Sequence, residues 1–183
     1  MSYAGHHQEC LEACQELLQS EPDNPFAWKL GGKSLLALRQ FEKAQHYLIK
    51  SHQLDDKDPE TIKDIGNTFL NLGNKNQALE WYQKAIDIND NYAPAISNLA
   101  NLKRQSGNTQ EAIDLFKRAI QADPKLIQAY VGAAASYLRL GHLNQAKLIA
   151  EQGSENNKNT PGINETLGII FQSKSNPEIA IRY

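Results

Sequence analysis

Ile65-Gly66-Asn67-Thr68-Phe69-Leu70-Asn71-Leu72-Gly73-Asn74-Lys75-Asn76-Gln77-Ala78-Leu79-Glu80-Trp81-Tyr82 is the stretch that decides the fold, because the chain repeats it in steps of 34 residues. Its Ala78 recurs as Ala44, Ala112, Ala146 and Ala180, and its Gly73 as Gly107 and Gly141. The place of Tyr82 is taken by Leu48, Phe116 and Ala150. Outside the quoted stretch Trp28, Ile62, Ile96 and Tyr130 share a phase. Inside it, Ile65 pairs with Leu99 and Leu167, and Gly66 with Ala100, Ala134 and Gly168. A period this strict means stacked supersecondary units, each too small to bury its own apolar face.

Within a unit the pattern is helical. Apolar residues recur three and four apart over 25–39, 59–73, 93–107 and 127–141, and again over 41–54, 75–88, 109–122 and 143–152. Asn24-Pro25, Asp58-Pro59 and Thr160-Pro161 each place a capping side chain before a proline at the first helical position. Gly73, Gly107 and Gly141 stand where the first helix must stop in a left-handed conformation. The small residues Gly66, Ala100, Ala134 and Gly168 are expected to face the alanine column, letting two helices approach closely. Gly153, Ser154 and Asn156-Asn157 are expected to weaken the end of the fourth unit. No useful length alternates with period two, so no strands are expected.

The pattern Trp28…Ala44…Leu48, Ile65-Gly66…Phe69…Ala78…Tyr82…Ala85 and Leu99-Ala100…Ala112…Phe116…Ala119…Pro124 resembles the tetratricopeptide repeat (TPR). The resemblance implies an all-α, right-handed superhelical solenoid of stacked helix–turn–helix units. It would be one array over 1–183: a partial unit at 1–24, full units at 25–58, 59–92, 93–126 and 127–160, and a truncated unit at 161–183. It also implies that the first helix of each unit lines a concave groove for an extended peptide or a partner helix. Carried onto this chain, the groove positions include Lys63, Asp64, Asn67 and Asn71, then Ser97, Asn98, Asn101 and Arg104, then Gln128, Val131, Gly132, Ala135, Leu138 and Arg139.

The residue types in that strip suit a peptide. Asparagine is a poor helix former, so a cluster on helices costs stability, yet its donor and acceptor match the amides of an extended main chain. Lys63 and Arg104 flank the cluster and suit a carboxylate or phosphate. Val131, Gly132, Ala135 and Leu138 form a shallow apolar patch with room for a ligand anchor. Two groove types known in the family fit only in part. Lys63, Asn67 and Asn98 match three places of the two-carboxylate clamp of chaperone-tail receptors, but Gln128 and Gly132 stand where its last Lys and Arg belong. An asparagine ladder is absent, because the column of Asn98 holds Leu30, Asp64, Gly132 and Thr166.

The bulk properties narrow the remaining classes. Of 183 residues 40% are apolar and 22% charged, and the net charge is −2. Without a basic excess, nucleic acid is not expected as a partner. No apolar run reaches the length of a membrane span and no signal peptide is readable, so a cytoplasmic protein without a membrane partner is expected. Cys10 and Cys14 do not make a disulfide framework. With His6 they share one helical face, but three ligands are too few for a structural metal site, and both columns call for small core residues. His46, His52 and His142 are scattered, and Gly31-Gly32 lies inside a helix, not in a phosphate loop. Trp28, Trp81, Tyr82 and Phe116 are expected in the core. No cofactor, metal or catalytic residue is expected.

The expected function is a non-enzymatic scaffold that binds a protein or peptide ligand. One alternative is the substrate-recruiting repeat portion of a larger enzyme, such as a glycosyl- or sulfotransferase. Another is a self-assembly module that associates through residues 161–183, where Ile170 and Phe171 would be half covered.

Overall fold

The computed structural model describes residues 3–156, which fold into nine α-helices with no strand among them. Two compact units divide between Asp90 and Asn91, within two residues of the 92/93 repeat boundary.

In the first unit, α1 (Tyr3–Ser20) packs on α2 (Pro25–Ala37), α2 on α3 (Phe41–Leu54), α3 on α4 (Pro59–Asn71), and α4 on α5 (Lys75–Ile88). Local chemistry sets the helix starts. The Asn24 side chain accepts from the Ala27 amide and that of Asp58 from the Glu60 amide, while Pro25 and Pro59 occupy positions whose N–H would be orphaned anyway. In the second unit, α6 (Ala93–Gln105) packs on α7 (Thr109–Ala122), α7 on α8 (Ile127–Arg139), and α8 on α9 (Leu143–Asn156). Helices α6 and α8 also touch directly.

The first helices end two residues earlier than the periodicity suggests, and the turn explains why. In α4 the Gly73 amide donates to the Leu70 carbonyl at 3.1 Å and the Asn74 amide to that of Phe69 at 2.8 Å. This is a Schellman closure, with Gly73 at φ +84°. Gly107 and Gly141 close α6 and α8 in the same way. Arg39 does so after α2, at φ +60° and without the freedom of glycine. In the second unit α9 runs through Gly153 to Asn156, past the expected stop at 152. Gly153 is buried there, and the Asn156 amide donates to the Tyr130 hydroxyl at 2.7 Å, which ties down the last turn.

The alanine column is the seam of the helix pairs: Ala44, Ala78, Ala112 and Ala146 are each 0% exposed. Ala134 clusters with Ala146 and Ala150, as the sequence suggests. Gly66 differs from expectation. A Cβ there would lie 2.6 Å from the Tyr82 ring, so this glycine admits the aromatic ring four residues past Ala78. Gly132 accommodates Phe116 in the same manner, at 2.3 Å. Tyr82 and Phe116 are fully buried, as expected. Trp28 and Trp81 are only half-buried: the Trp28 indole donates to the Pro22 carbonyl at 2.7 Å, and Trp81 stacks on Phe69. Thr160-Pro161, Ala180 and the whole stretch 161–183 lie outside the described residues. Among the described residues no helix is long and apolar enough to cross a membrane.

Candidate functional site

The charges on and beside α2 and α4 are engaged with one another. Lys29 bridges Asp58 at 2.8 Å and also Glu60, and Lys33 joins Glu60 as well. Burial alone would raise the carboxyls of Asp58 and Glu60; hydrogen bonds and charge from Lys29, with Thr61 for Asp58 and Lys33 for Glu60, outweigh it and hold both below their ordinary values. One turn on, Lys63 pairs with Asp64 at 2.6 Å. Asp64, a groove position by its register, is turned inward and is 4% exposed. It also accepts from the Asn67 amide at 3.0 Å, while the Asn67 carbonyl oxygen accepts from the Tyr82 hydroxyl at 2.8 Å. Asn67 is thus a polar partner of a fully buried tyrosine. Asn71 is exposed and donates to the Asn67 main-chain carbonyl at 2.8 Å.

In the second unit the same positions form an open pocket of about 450 Å³ between α6 and α8. Its apolar wall is Ile127, Val131, Gly132 and Ala135; its polar rim is Asn101, Arg104 and Gln128. Six of the groove positions expected from the sequence (Asn101, Arg104, Gln128, Val131, Gly132 and Ala135) therefore come together here. Glycine at 132 is fixed by Phe116, whose ring takes the space a Cβ would occupy. Ser97 and Leu138, groove positions by register, are 2% and 5% exposed and belong to the core instead. Asn98 is half-buried.

Arg104 lines this pocket, and a second arginine, Arg139, lies beside it. Arg139 donates from Nη1 to the Arg104 main-chain carbonyl at 2.8 Å, and Arg104 Nη2 reaches Asn101 Oδ1 at 3.4 Å. Arg104 Nε is buried with no hydrogen-bond partner among the described residues. Burial and then the charge of Arg139 lower the Arg104 guanidinium from its ordinary value. Helices α6 and α8 contain no aspartate or glutamate, and neither arginine forms an ion pair among the described residues. The sequence signal for this feature is that absence of acids. It is legible only once α6 and α8 are known to face each other.

The His6, Cys10 and Cys14 face of α1 holds a Cys14 that is 5% exposed and a partly exposed Cys10. Burial, then the proximity of Cys10, pushes the Cys14 thiol up to about 11, so it stays protonated and packs as a small apolar group. His6 lies 3.9 Å from Glu9. Among the described residues no group of three or more His, Cys, Asp or Glu is placed to hold a metal ion.

Comparison with known proteins places this architecture. No curated protein sequence matches the chain. In fold it is similar to the crystal structure of MamA, with a TM-score of 0.70 and 23% identity over 85% of this chain and 95% of that one. It is also similar to TTC0263, a thermophilic TPR protein of Thermus thermophilus, with a TM-score of 0.79 and 17% identity over 92% of both chains. A third similar structure is YrrB, described as a TPR protein with an unusual peptide-binding site, at a TM-score of 0.64 and 16% identity over 88% of this chain and 83% of that one. Residues 59–92 match one tetratricopeptide repeat profile and residues 103–164 match a second. With its 34-residue period, its all-α helical repeat fold and these two matches, the chain belongs to the tetratricopeptide repeat family.

Proposed function

We propose that this chain is a non-enzymatic protein-interaction scaffold whose peptide site is centred on α6 and α8. The observation that carries the reading is the pocket of about 450 Å³ that combines an apolar wall with amide and guanidinium groups. Such a combination of apolar anchor space and a few placed polar groups is what a ligand site requires. The repeat family supports protein or peptide binding in general, and the peptide-binding site named for YrrB supports a peptide in particular. Asn101, Arg104, Gln128, Val131, Ala135 and Arg139 are the contacts in this reading, with Asn98 beside them. Lys63, Asn67 and Asn71 contribute less, because their polar groups already serve α4 and Tyr82.

The test is a quantitative pull-down from the source cell with wild type and two variants. Ala135→Leu fills the pocket from a half-buried position and is expected to lose the partners that wild type retains. Asn71→Ala, at an exposed position of the first unit, is expected to keep them. Full retention of every partner by Ala135→Leu would sink the assignment of the site.

A further inference from the structure

By its register α1 is the second helix of a unit. In steps of 34, Cys10, Cys14 and Leu17 fall in the columns of Ala44, Leu48 and Ser51, of Ala78, Tyr82 and Ala85, and of Ala112, Phe116 and Ala119. In α3, α5 and α7 these residues are all buried, and the first helix of the same unit packs on each of those helices. No described helix takes that place beside α1, which packs on α2 through Leu11 and Cys14. Cys10 is accordingly only partly covered and Leu17 is 37% exposed. Ala13 between them is exposed, although its column holds the half-buried Tyr47, Trp81 and Leu115. Three and four residues apart, Cys10, Ala13 and Leu17 form one apolar strip along the helix.

Charge decides what fits the strip. Residues 1–28 contain no lysine or arginine, but they hold Glu9, Glu12, Glu16, Glu21 and Asp23, in a chain whose net charge is only −2. With about 100° of rotation per residue, Glu9 and Glu16 lie beside Ala13, on the edge of the strip that faces away from α2. Both are exposed. They are two turns apart, which is about 10 Å along the axis. A second copy of α1 would bring the same acids with it, and like charges along a helix pair repel. Lysine and arginine suit this edge twice over, because their heads meet the carboxylates while their stems cover apolar surface.

We propose that the open face of α1 docks an amphipathic helix of a partner protein, whose apolar strip lies on Cys10, Ala13 and Leu17 and whose two basic residues, seven positions apart, meet Glu9 and Glu16. The docked helix takes the place of a first helix and completes the unit to which α1 belongs. This surface shares no residue with the α6–α8 pocket, so its test is independent of the peptide site.

The experiment uses the full chain and a labelled peptide of about 18 residues, held helical by a side-chain lactam. It carries alanines and leucines at helical spacing and, beside them, two lysines seven positions apart. One control peptide has glutamates for the lysines, and another has the lysines on the opposite face. Binding is read by fluorescence anisotropy at low and high salt. Coverage of the strip is read by the rate at which iodoacetamide alkylates Cys10, assigned by mass spectrometry; Cys14, 5% exposed, does not report. The lysine peptide is expected to bind about tenfold tighter than either control, with the margin narrowing in salt, and to slow Cys10 alkylation several-fold. Leu17→Glu should abolish binding, and Glu9→Gln with Glu16→Gln should remove the preference for lysine. All three positions are exposed, so the variants are expected to keep the circular dichroism of wild type. Equal binding of the lysine and glutamate peptides overturns the basic partner. A dimer in sedimentation that protects Cys10 and is lost in Leu17→Glu makes the occupant a second copy and overturns the proposal. No binding, or binding that leaves Cys10 alkylation unchanged, overturns the site itself.

Discussion

The first-helix surfaces of the two units differ in how their charges are balanced. On α2 and α4 each lysine faces a carboxylate: Lys29 and Lys33 meet Asp58 and Glu60, and Lys63 meets Asp64. On α6 and α8 Arg104 lines an apolar pocket, Arg139 bonds to its main-chain carbonyl, and neither helix carries a carboxylate. The repeat register is the same in both, so helical geometry does not produce the difference. The composition of the first helices does. Both surfaces keep a buried polar atom without a hydrogen-bond partner among the described residues, Asp64 Oδ2 on the first and Arg104 Nε on the second. The difference is that the first pairs its charges with one another, whereas the second carries like charges that an incoming opposite charge would stabilise.

Asparagine gives the widest separation between the two surfaces. Asn67→Ala takes an acceptor from the buried Tyr82 hydroxyl and a donor from Asp64, which costs about 1–3 kcal/mol. Asn101→Ala removes a rim group that meets Arg104 at 3.4 Å, and should stay within about 0.5 kcal/mol. Urea unfolding of both variants checks the contrast. Equal losses would mean that the two asparagines do the same work and that the distinction between the surfaces fails.

The turns sharpen the comparison within the fold itself. Three first helices close on glycine at positive φ and one on Arg39 at φ +60°. A left-handed conformation costs a non-glycine residue roughly 1–2 kcal/mol, partly offset by the greater freedom of glycine in the unfolded chain. Arg39→Gly is therefore expected to raise stability by about 0.5–1 kcal/mol, read as a higher denaturation midpoint. A fall in the midpoint would show that the Arg39 side chain, which lies 5.8 Å from the Phe41 ring centroid, matters more than its backbone.

Acid should act on the first unit through its balanced charges, with the smallest effect. Asp58 and Glu60 are held below their ordinary values of 3.8 and 4.5 in the folded chain. Their contribution is present above those values and is lost as the pH falls through the lower, folded ones. Each pair is partly exposed and contributes at most about 1 kcal/mol. Lys29→Met should flatten the loss of stability below about pH 4, because the two carboxyls then titrate nearer their ordinary values. An unchanged acid limb in thermal melts taken from pH 6 to pH 3 would remove the network from the account.

The fold was legible because five alanines and three glycines in register leave little freedom to anything but stacked helix pairs. Capping at Asn24 and Asp58 was legible for the same local reason. What could not be read was pairing across helices. Nothing in the sequence joins Asn67 to Tyr82, fifteen residues on, since that bond depends on the ring filling the space left by Gly66. The proposed site was legible in composition and not in its balance: the same strip of polar positions contained groups paired within the fold and groups that the proposal assigns to a ligand. Ser97 and Leu138 were misplaced because helix period alone does not tell which edge of a face the neighbouring helix covers.

The central claim is that peptide binding belongs to α6 and α8 rather than to the balanced surface of α4. The most direct measurement is backbone amide NMR of the full chain, titrated with the partner recovered in the pull-down and mapped residue by residue. The expected result is shifts concentrated at Asn101, Arg104, Gln128, Val131, Ala135 and Arg139, with Lys63, Asn67 and Asn71 unmoved. Shifts centred on Lys63, Asn67 and Asn71, with α8 unmoved, would contradict it.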